Sequence, residues 1–398
     1  MLSRKAHVYR LYPTPEQAAV LGAWIGAVRF TYNLCLEQRR DWWRPGRRFT
    51  FASQCREITA LRSEVDWLRN VPVHALQQAA KDLDRAYGNW WSGRAGAPSP
   101  RRRGLNDAMR FPDPATFAFR RLSRRVGEVK LPKLGWVRLR WDRTIPGTVK
   151  SVTVSRMAGQ WHVSAQYEAD VPEPAPSVLP AVGIDRGVAV FAALSDGTLI
   201  QPGNFGRKAQ RVLARAQRKL ARKKRGSNNR RKAVRRVQQV QARIARQRKD
   251  FLNKLSHRIA KSHGVVVLEK LEVRNMVRSA AGTAQKPGRN VRAKSGLNRS
   301  ILDQGWGMFR AMLSRKLAVN GGRLAEVPPQ NTSRTCSACG VVDADSRKAQ
   351  RFRCVACGHA AHADTNAAIN ILSRWDTSGL PVEASRERAD EAGTSRAA

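Results

Sequence analysis

Val182-Gly-Ile-Asp-Arg-Gly-Val-Ala-Val-Phe-Ala-Ala-Leu194 decides how the rest of the chain is read. It opens with an apolar run of β character that delivers one acid, Asp185. A second β-rich run follows and is closed by the turn Ser195-Asp-Gly197. A carboxylate in such a strand is costly to bury unless something offsets its desolvation, and a divalent cation shared with other acids is the usual partner. Two further carboxylates stand in matching settings downstream. Glu269 ends the buried strand Gly264-Val-Val-Val-Leu-Glu269, and Asp364 opens the helical pattern His362-Ala-Asp-Thr-Asn-Ala-Ala-Ile-Asn-Ile371. Taken alone, Asp364 reads equally well as a helix N-cap.

The 398 residues suffice for two or three domains. Lys+Arg number 74 against 30 Asp+Glu, a net charge of +44. That imbalance opposes compaction of the chain on its own and points to a polyanionic partner. No apolar run approaches the roughly 20 residues that span a bilayer, so no membrane partner is expected. The start Met1-Leu-Ser-Arg-Lys-Ala-His-Val-Tyr-Arg10 lacks a signal-peptide core, which reads as cytosolic. Neither a nucleophile elbow nor a phosphate-binding Walker loop occurs, which leaves serine and cysteine catalysis without support.

Around the opening stretch the chain divides by period. His7-Val-Tyr-Arg-Leu11 reads as a strand, and Thr14-Pro-Glu-Gln17 starts a helix with a capping box and proline at its first position. Val20, Leu21, Trp24, Val28 and Cys35, then Val73, Leu76, Ala80, Leu83 and Tyr87, recur at helical spacing, so 13–92 is read as a helical domain. Arg101-Arg-Arg103, in a Pro/Gly/Ser/Arg-rich break, is either a phosphate contact or a solvated charge run. Trp136 to Trp141, Val149 to Arg156 and Gln160 to Tyr167 alternate, with Ala158-Gly159 as a hairpin turn. With the opening strand they suggest a small β-barrel into which the helices are inserted. From Gly197 to Lys249 there is no acid, and two basic amphipathic helices flank Gly226-Ser-Asn-Asn229. Such a hairpin would lay one face on a core and the other on phosphates. Ser279 to Ser300 reads as a loop, Trp306 to Leu317 as a helix and Arg323 to Val327 as a strand.

Cys336-Ser-Ala-Cys339 and Cys354-Val-Ala-Cys357 lie fourteen residues apart, each followed by glycine. Four thiolates at that spacing favour tetrahedral structural zinc over a redox pair. Cys35 and Cys55 read as helix-core residues. Three acids beside a basic surface suit paired Mg²⁺ or Mn²⁺, hence a metal-dependent nucleic-acid enzyme.

The chain resembles the TnpB family of transposon-encoded RNA-guided nucleases, from about residue 5 to 375. The resemblance rests on Gly183-Ile-Asp-Arg-Gly187, Val267-Leu-Glu-Lys-Leu271, Thr332-Ser-Arg-Thr-Cys-Ser-Ala-Cys-Gly340, Cys354-Val-Ala-Cys-Gly358 and Asp364-Thr-Asn-Ala-Ala-Ile-Asn370. It implies a multidomain α/β protein: an RNase H-like (RuvC) nuclease domain with an inserted zinc ribbon, plus an N-terminal wedge-like β-barrel carrying a helical insertion. The implied boundaries are a wedge of 1–12 and 126–170, a recognition part of 13–125 and a linker of 171–180. The nuclease domain would be 181–330 and 359–375, with its basic hairpin at 207–261, the ribbon 331–358, and a disordered tail 376–398.

The same resemblance implies Asp185, Glu269 and Asp364 as the metal-binding catalytic triad, holding Mg²⁺ or Mn²⁺, with Zn²⁺ on Cys336, Cys339, Cys354 and Cys357. It implies an omega-type guide RNA and a double-stranded target DNA cut beside a short flanking motif, with the protein a monomer or homodimer on RNA in the bacterial cytoplasm. Base pairing would carry sequence specificity while the protein reads backbone and the short motif. Rival readings are a compact type V CRISPR effector, an RNA-guided repressor that cleaves weakly, and a transposase that joins DNA ends itself. Arg186 and Ala363 depart from the family's commonest residues beside the acids.

Overall fold

The computed structural model describes residues 2–42, 49–105 and 107–377. The chain divides after Pro172 into two compact units.

In the first unit a strand, β1 (Leu2–Tyr12), leads into helices α1 (Pro15–Asp41), α2 (Phe51–Glu64), α3 (Asp66–Arg69) and α4 (Val73–Trp91). Strands β2 (Ala108–Phe111), β3 (Ala118–Arg121), β4 (Val126–Leu131), β5 (Gly135–Arg140), β6 (Thr148–Met157) and β7 (Gln160–Asp170) follow. Thr14 and Gln17 form the expected capping box: the Thr14 hydroxyl accepts from Gln17 N at 3.3 Å, and Gln17 Oε1 accepts from Thr14 N at 3.1 Å. Leu21, Trp24 and Val28 of α1 are buried in one core with Leu76, Ala80 and Leu83 of α4. By length and composition α1 would also cross a bilayer, which corrects the reading that no run comes close. Half of its apolar window is buried.

The seven strands form one antiparallel sheet in the order β2-β6-β7-β1-β5-β4-β3. Ala158 and Gly159 turn the β6–β7 hairpin with φ of 50° and 78°, the left-handed pair that matches strand twist. Residues 108–111 and 118–121, within the segment assigned to the helical part, are strands of this sheet. Among the described residues the edge strands β2 and β3 do not pair, so hydrogen bonding leaves the sheet open rather than closing the expected barrel. Arg101 is committed internally, its guanidinium 4.0 Å from the Tyr32 ring centroid and 2.8 Å from Asp82, while Arg102 and Arg103 are exposed.

The second unit is built on β8 (Ala181–Asp185), β9 (Ala192–Leu194), β10 (Leu199–Ile200), α5 (Phe205–Ala221), α6 (Asn228–Ser262) and β11 (Val265–Glu269). Then come α7 (Val273–Met276), α8 (Val291–Gln304), α9 (Trp306–Val319), β12 (Arg323–Val327), the short strands β13 (Arg347–Lys348), β14 (Arg351–Arg353) and β15 (Ala360–His362), and α10 (Ala363–Thr377). The main sheet runs β10-β9-β8-β11-β12, with β8, β11 and β12 parallel. The expected loop 279–300 is helical from Val291, because tertiary contacts hold it: Lys294 Nζ donates to Met276 O, Asn298 Nδ2 to Val277 O, and Ile301 is buried. The expected tail lies outside the described residues from 378 onward.

Strand periodicity sorts this sheet's side chains. Val182, Ile184, Val266 and Leu268 enter a core with Leu252, Leu255 and Ile259 of α6 and Phe309 and Leu313 of α9. The alternate residue Val267 packs instead with Ile371 and Leu372 of α10. Gly183 allows α10 its close approach, since a Cβ there would lie 2.1 Å from Ala368 O. Gly183→Val is therefore expected to destabilise the protein by about 1–3 kcal/mol or more. A melting temperature within a degree of wild type would refute this packing.

Candidate metal centres

Asp185 and Glu269 end the adjacent parallel strands β8 and β11, paired up to Ile184↔Leu268. Both sit on the sheet face that α10 covers, because they alternate with the residues of the α6/α9 core. Asp364 lies in the first turn of that covering helix. The carboxyl ends of parallel strands are where open α/β sheets generally bind ligands. The three expected acids thus lie in one neighbourhood, Glu269 and Asp364 buried at 8% and 9% exposure and Asp185 half-buried.

Their electrostatics bear the marks of a cation site. Burial, then the charges of Glu269 and Asp364, push the Asp185 carboxyl up to about 7, against the pull of Arg347. Burial also raises Glu269, opposed by a hydrogen bond from Thr332. Two carboxyls raised mainly by burial, Asp185 and Glu269, with the Asp364 carboxylate near them, offer the hard-oxygen donor set of a Mg²⁺-type ion. Among the described residues only the four cysteines gather their ligand atoms within 4.8 Å; the acids stand further apart.

Three neighbours shape the site, of which sequence reasoning places only Arg186 beside the acids. Arg347 of β13 holds Asp364 Oδ1 at 2.8 Å. The Thr332 hydroxyl, 2% exposed, donates to Glu269 Oε1. Buried Arg186 donates through Nη2 to the Glu269 carbonyl, tying the ends of β8 and β11. This gives the departure at position 186 a structural role. Ala363, the other departure, is fully buried with Cys336, Phe352 and Cys354. Thr332 could have been suspected from its place in the quoted motif; Arg347 carries no local signal.

The sign of the Asp185 shift makes a prediction. Folded Asp185 keeps its proton from the ordinary 3.8 up to about 7, so the metal-free fold loses stability from this site as pH rises through that window. A cation bound there relieves the loss. Adding Mg²⁺ is expected to raise the melting temperature more at pH 8 than at pH 5.5, and Asp185→Ala should abolish the difference. Equal rises at both pH values would remove Asp185 from the site.

The four thiols form a second centre. Cys336 and Cys357 sulfurs are 3.7 Å apart, and those of Cys339 and Cys354 are 3.6 Å apart. Four sulfurs at about 2.3 Å from one tetrahedral zinc would sit roughly 3.8 Å from each other. The two knuckles repeat: Gly340 N donates to Cys336 O and Gly358 N to Cys354 O, each at 3.0 Å, with both glycines left-handed. Backbone N–H groups of Cys357 and Ala356 help draw the Cys354 thiol down to about 6, toward the thiolate that zinc binds. The donor set and spacing fit a closed structural zinc site.

Helices α5 and α6 carry exposed arginines, among them Arg207, Arg211, Arg215, Arg218, Arg235 and Arg243. Arg230 Nη1 caps the end of α5 by donating to Leu220 O and Lys223 O, each at 3.2 Å.

Comparison with known proteins agrees with this architecture. Among solved structures, that of a "Cas12f1-sgRNA-target DNA complex" aligns with 93% of this chain and 98% of its counterpart, with a TM-score of 0.51 and 15% identity. The fold is thus like that of this Cas12f1 chain, a multidomain α/β protein with a ribbon-like cysteine cluster. A family described as "Probable transposase" (OrfB, IS605 type) matches residues 164–280, and a "Cas12f1-like, TNB domain" matches 306–371. A "Helix-turn-helix domain" matches 1–48, where the described residues form one strand and one helix. "Putative RNA-guided DNA endonuclease InsQ" of Escherichia coli K12 is 42% identical, over 93% of this chain and 92% of its own length. A "Putative RNA-guided DNA endonuclease" of Streptomyces pristinaespiralis is 35% identical, over 93% and 89%. The chain belongs to this TnpB (OrfB-type) family.

Proposed function

We propose that this protein is an RNA-guided DNA endonuclease of a transposable element, cutting guide-complementary DNA at a single RuvC-like site formed by Asp185, Glu269 and Asp364. The observation that carries the reading is that these acids, two buried and Asp185 half-buried, stand at the ends of two parallel strands and the start of the helix over them. Membership of the family, with relatives named as RNA-guided DNA endonucleases, supports it.

In this reading the three carboxylates hold Mg²⁺ or Mn²⁺, which when bound supplies an activated water and charge stabilisation for phosphodiester hydrolysis. The chain's own residues do the rest. Thr332 fixes one oxygen of Glu269 and leaves the other free to bind. Arg186 keeps the two strand ends in register. Arg347 brings a guanidinium beside the acids, where it offsets their repulsion of a phosphate. The exposed arginines of α5 and α6 follow the nucleic-acid backbone. The N-terminal unit, as wedge and recognition part, holds an omega-type guide RNA and reads the short motif flanking the target. Zinc on the four thiolates staples the ribbon and leaves no open position for chemistry.

The test is to express the gene with its native flanking DNA, purify the protein and sequence the RNA that accompanies it. RNA that spans the gene's 3′ end and runs into neighbouring DNA is the expected result, and DNA matching its guide portion should be cut in Mg²⁺. Repeat–spacer RNA would move the protein to the CRISPR effectors. Absence of a discrete RNA would overturn guidance altogether.

A further inference from the structure

The segment between β12 and the cysteine ribbon, Pro328-Pro-Gln-Asn-Thr-Ser-Arg-Thr335, joins no sheet beyond an isolated bridge of Thr335 with Val342, yet several of its carbonyls are satisfied by side chains of α10. Arg374 Nη1 donates to Pro328 O at 3.1 Å and Gln330 O at 2.6 Å. Asn370 Nδ2 donates to Thr332 O at 2.9 Å and Thr335 O at 2.7 Å. Asn366 Nδ2 also donates to Thr335 O at 2.7 Å, while its Oδ1 accepts from Ser337 N at 2.9 Å, inside the first cysteine knuckle. Residues 366, 370 and 374 are spaced by four, so they form one stripe along α10. Asn366 and Asn370 are 0% and 6% exposed. Buried amides are tolerated only when hydrogen-bonded, and these spend their donors on this one segment.

The stripe has two ends. Asp364 stands two residues before it on the same helix. On the segment itself, the Thr332 hydroxyl that contacts Glu269 belongs to the residue whose carbonyl Asn370 holds. Cys336 follows Thr335 directly, so the knuckle and the hydroxyl are anchored by the same amides.

We infer that Asn366, Asn370 and Thr332 are positioning residues that transmit the frame of the cysteine ribbon to Glu269, setting its carboxylate relative to Asp364. This rests on the reading of Glu269 and Asp364 as cation ligands. Asn370 fixes the backbone of Thr332, Thr332 aims one oxygen of Glu269, and the ribbon holds the segment's far end. Partners that orient a metal-binding carboxylate are generally worth about 10–100-fold in metal affinity.

The experiment uses the RNA-loaded protein and follows Mn²⁺ binding by the loss of the free-ion electron paramagnetic resonance signal. Binding that persists in Glu269→Gln is subtracted as background from the RNA. Thr332→Val, which keeps the side-chain shape, and Asn370→Ala are each expected to weaken the specific Mn²⁺ site about 10-fold or more, with zinc content unchanged. Thr332→Ser should restore it. The double variant should be no weaker than the worse single one, because both act along one path. Wild-type Mn²⁺ affinity in Thr332→Val, or losses that multiply in the double variant, would overturn the relay. If Asn370→Ala does not fold, Thr332→Val and its serine rescue decide alone. Glu269→Gln binding Mn²⁺ like wild type would overturn the ligand assignment, and the relay with it. Loss in Glu269→Gln with none in Thr332→Val overturns the relay only.

Discussion

Asp185→Ala is expected to lower DNA cleavage by on the order of 10³-fold or more while leaving guided DNA binding within about twofold. Asp185 ends β8 beside Glu269 on β11, and its carboxyl is raised mainly by burial and then by the two other acids. A cation that stabilises transition-state charge is worth several kcal/mol, and each 1.36 kcal/mol is about tenfold in rate. Alanine removes a donor without adding volume, and it also relieves a buried like-charge cluster, so the fold should hold or gain stability. Stability and activity should therefore move in opposite directions, which separates this outcome from simple misfolding. Guided binding draws on the basic surface and on base pairing, neither of which involves Asp185. Cleavage at the wild-type rate in Mg²⁺ would sink the triad, and loss of binding together with cleavage would point to a structural role. Glu269→Ala and Asp364→Ala should behave alike, although Asp364→Ala also frees Arg347.

Cys354→Ala should have the second large effect. Cys354 is 3% exposed, sits 3.6 Å from the Cys339 sulfur, and accepts from Cys357 N at 3.5 Å. A closed tetrathiolate site contributes folding free energy directly, about 10–16 kcal/mol apparent in small zinc peptides. The strands it supports, β13 to β15, have two or three residues each and bury little besides Phe352. Without zinc they are not expected to persist. Zinc content should fall to background and protease should cut within residues 331–362. Cleavage should drop at least about 100-fold, because Arg347 and the Thr332 segment leave with the ribbon. Retained zinc with unchanged cleavage would refute both the metal assignment and its coupling to the acids.

Much of this protein is legible along the chain, where the deciding interactions are local. Val265 to Leu268 read as a buried strand because backbone geometry alone turns alternate side chains to opposite faces, and the same alternation put Asp185 and Glu269 on one face. The capping box at Thr14, the turn at Ala158-Gly159, the Cys-x2-Cys pairs and the acid-free hairpin segment are equally local patterns. What the tertiary structure decided lies between residues far apart in sequence. The segment 291–300 reads as a loop by composition and is helical because Met276 and Val277 offer carbonyls to Lys294 and Asn298. Strands β2 and β3 are four residues each, too short to announce themselves before a sheet accepts them. Arg186 and Thr332 reach Glu269 across 83 and 63 residues, and Arg347 reaches Asp364 through the folded ribbon. Local pattern specifies which face of an element is buried. Which polar side chain meets a buried acid depends on how distant segments pack, because burial gives each such contact its strength and only the closed fold creates that burial.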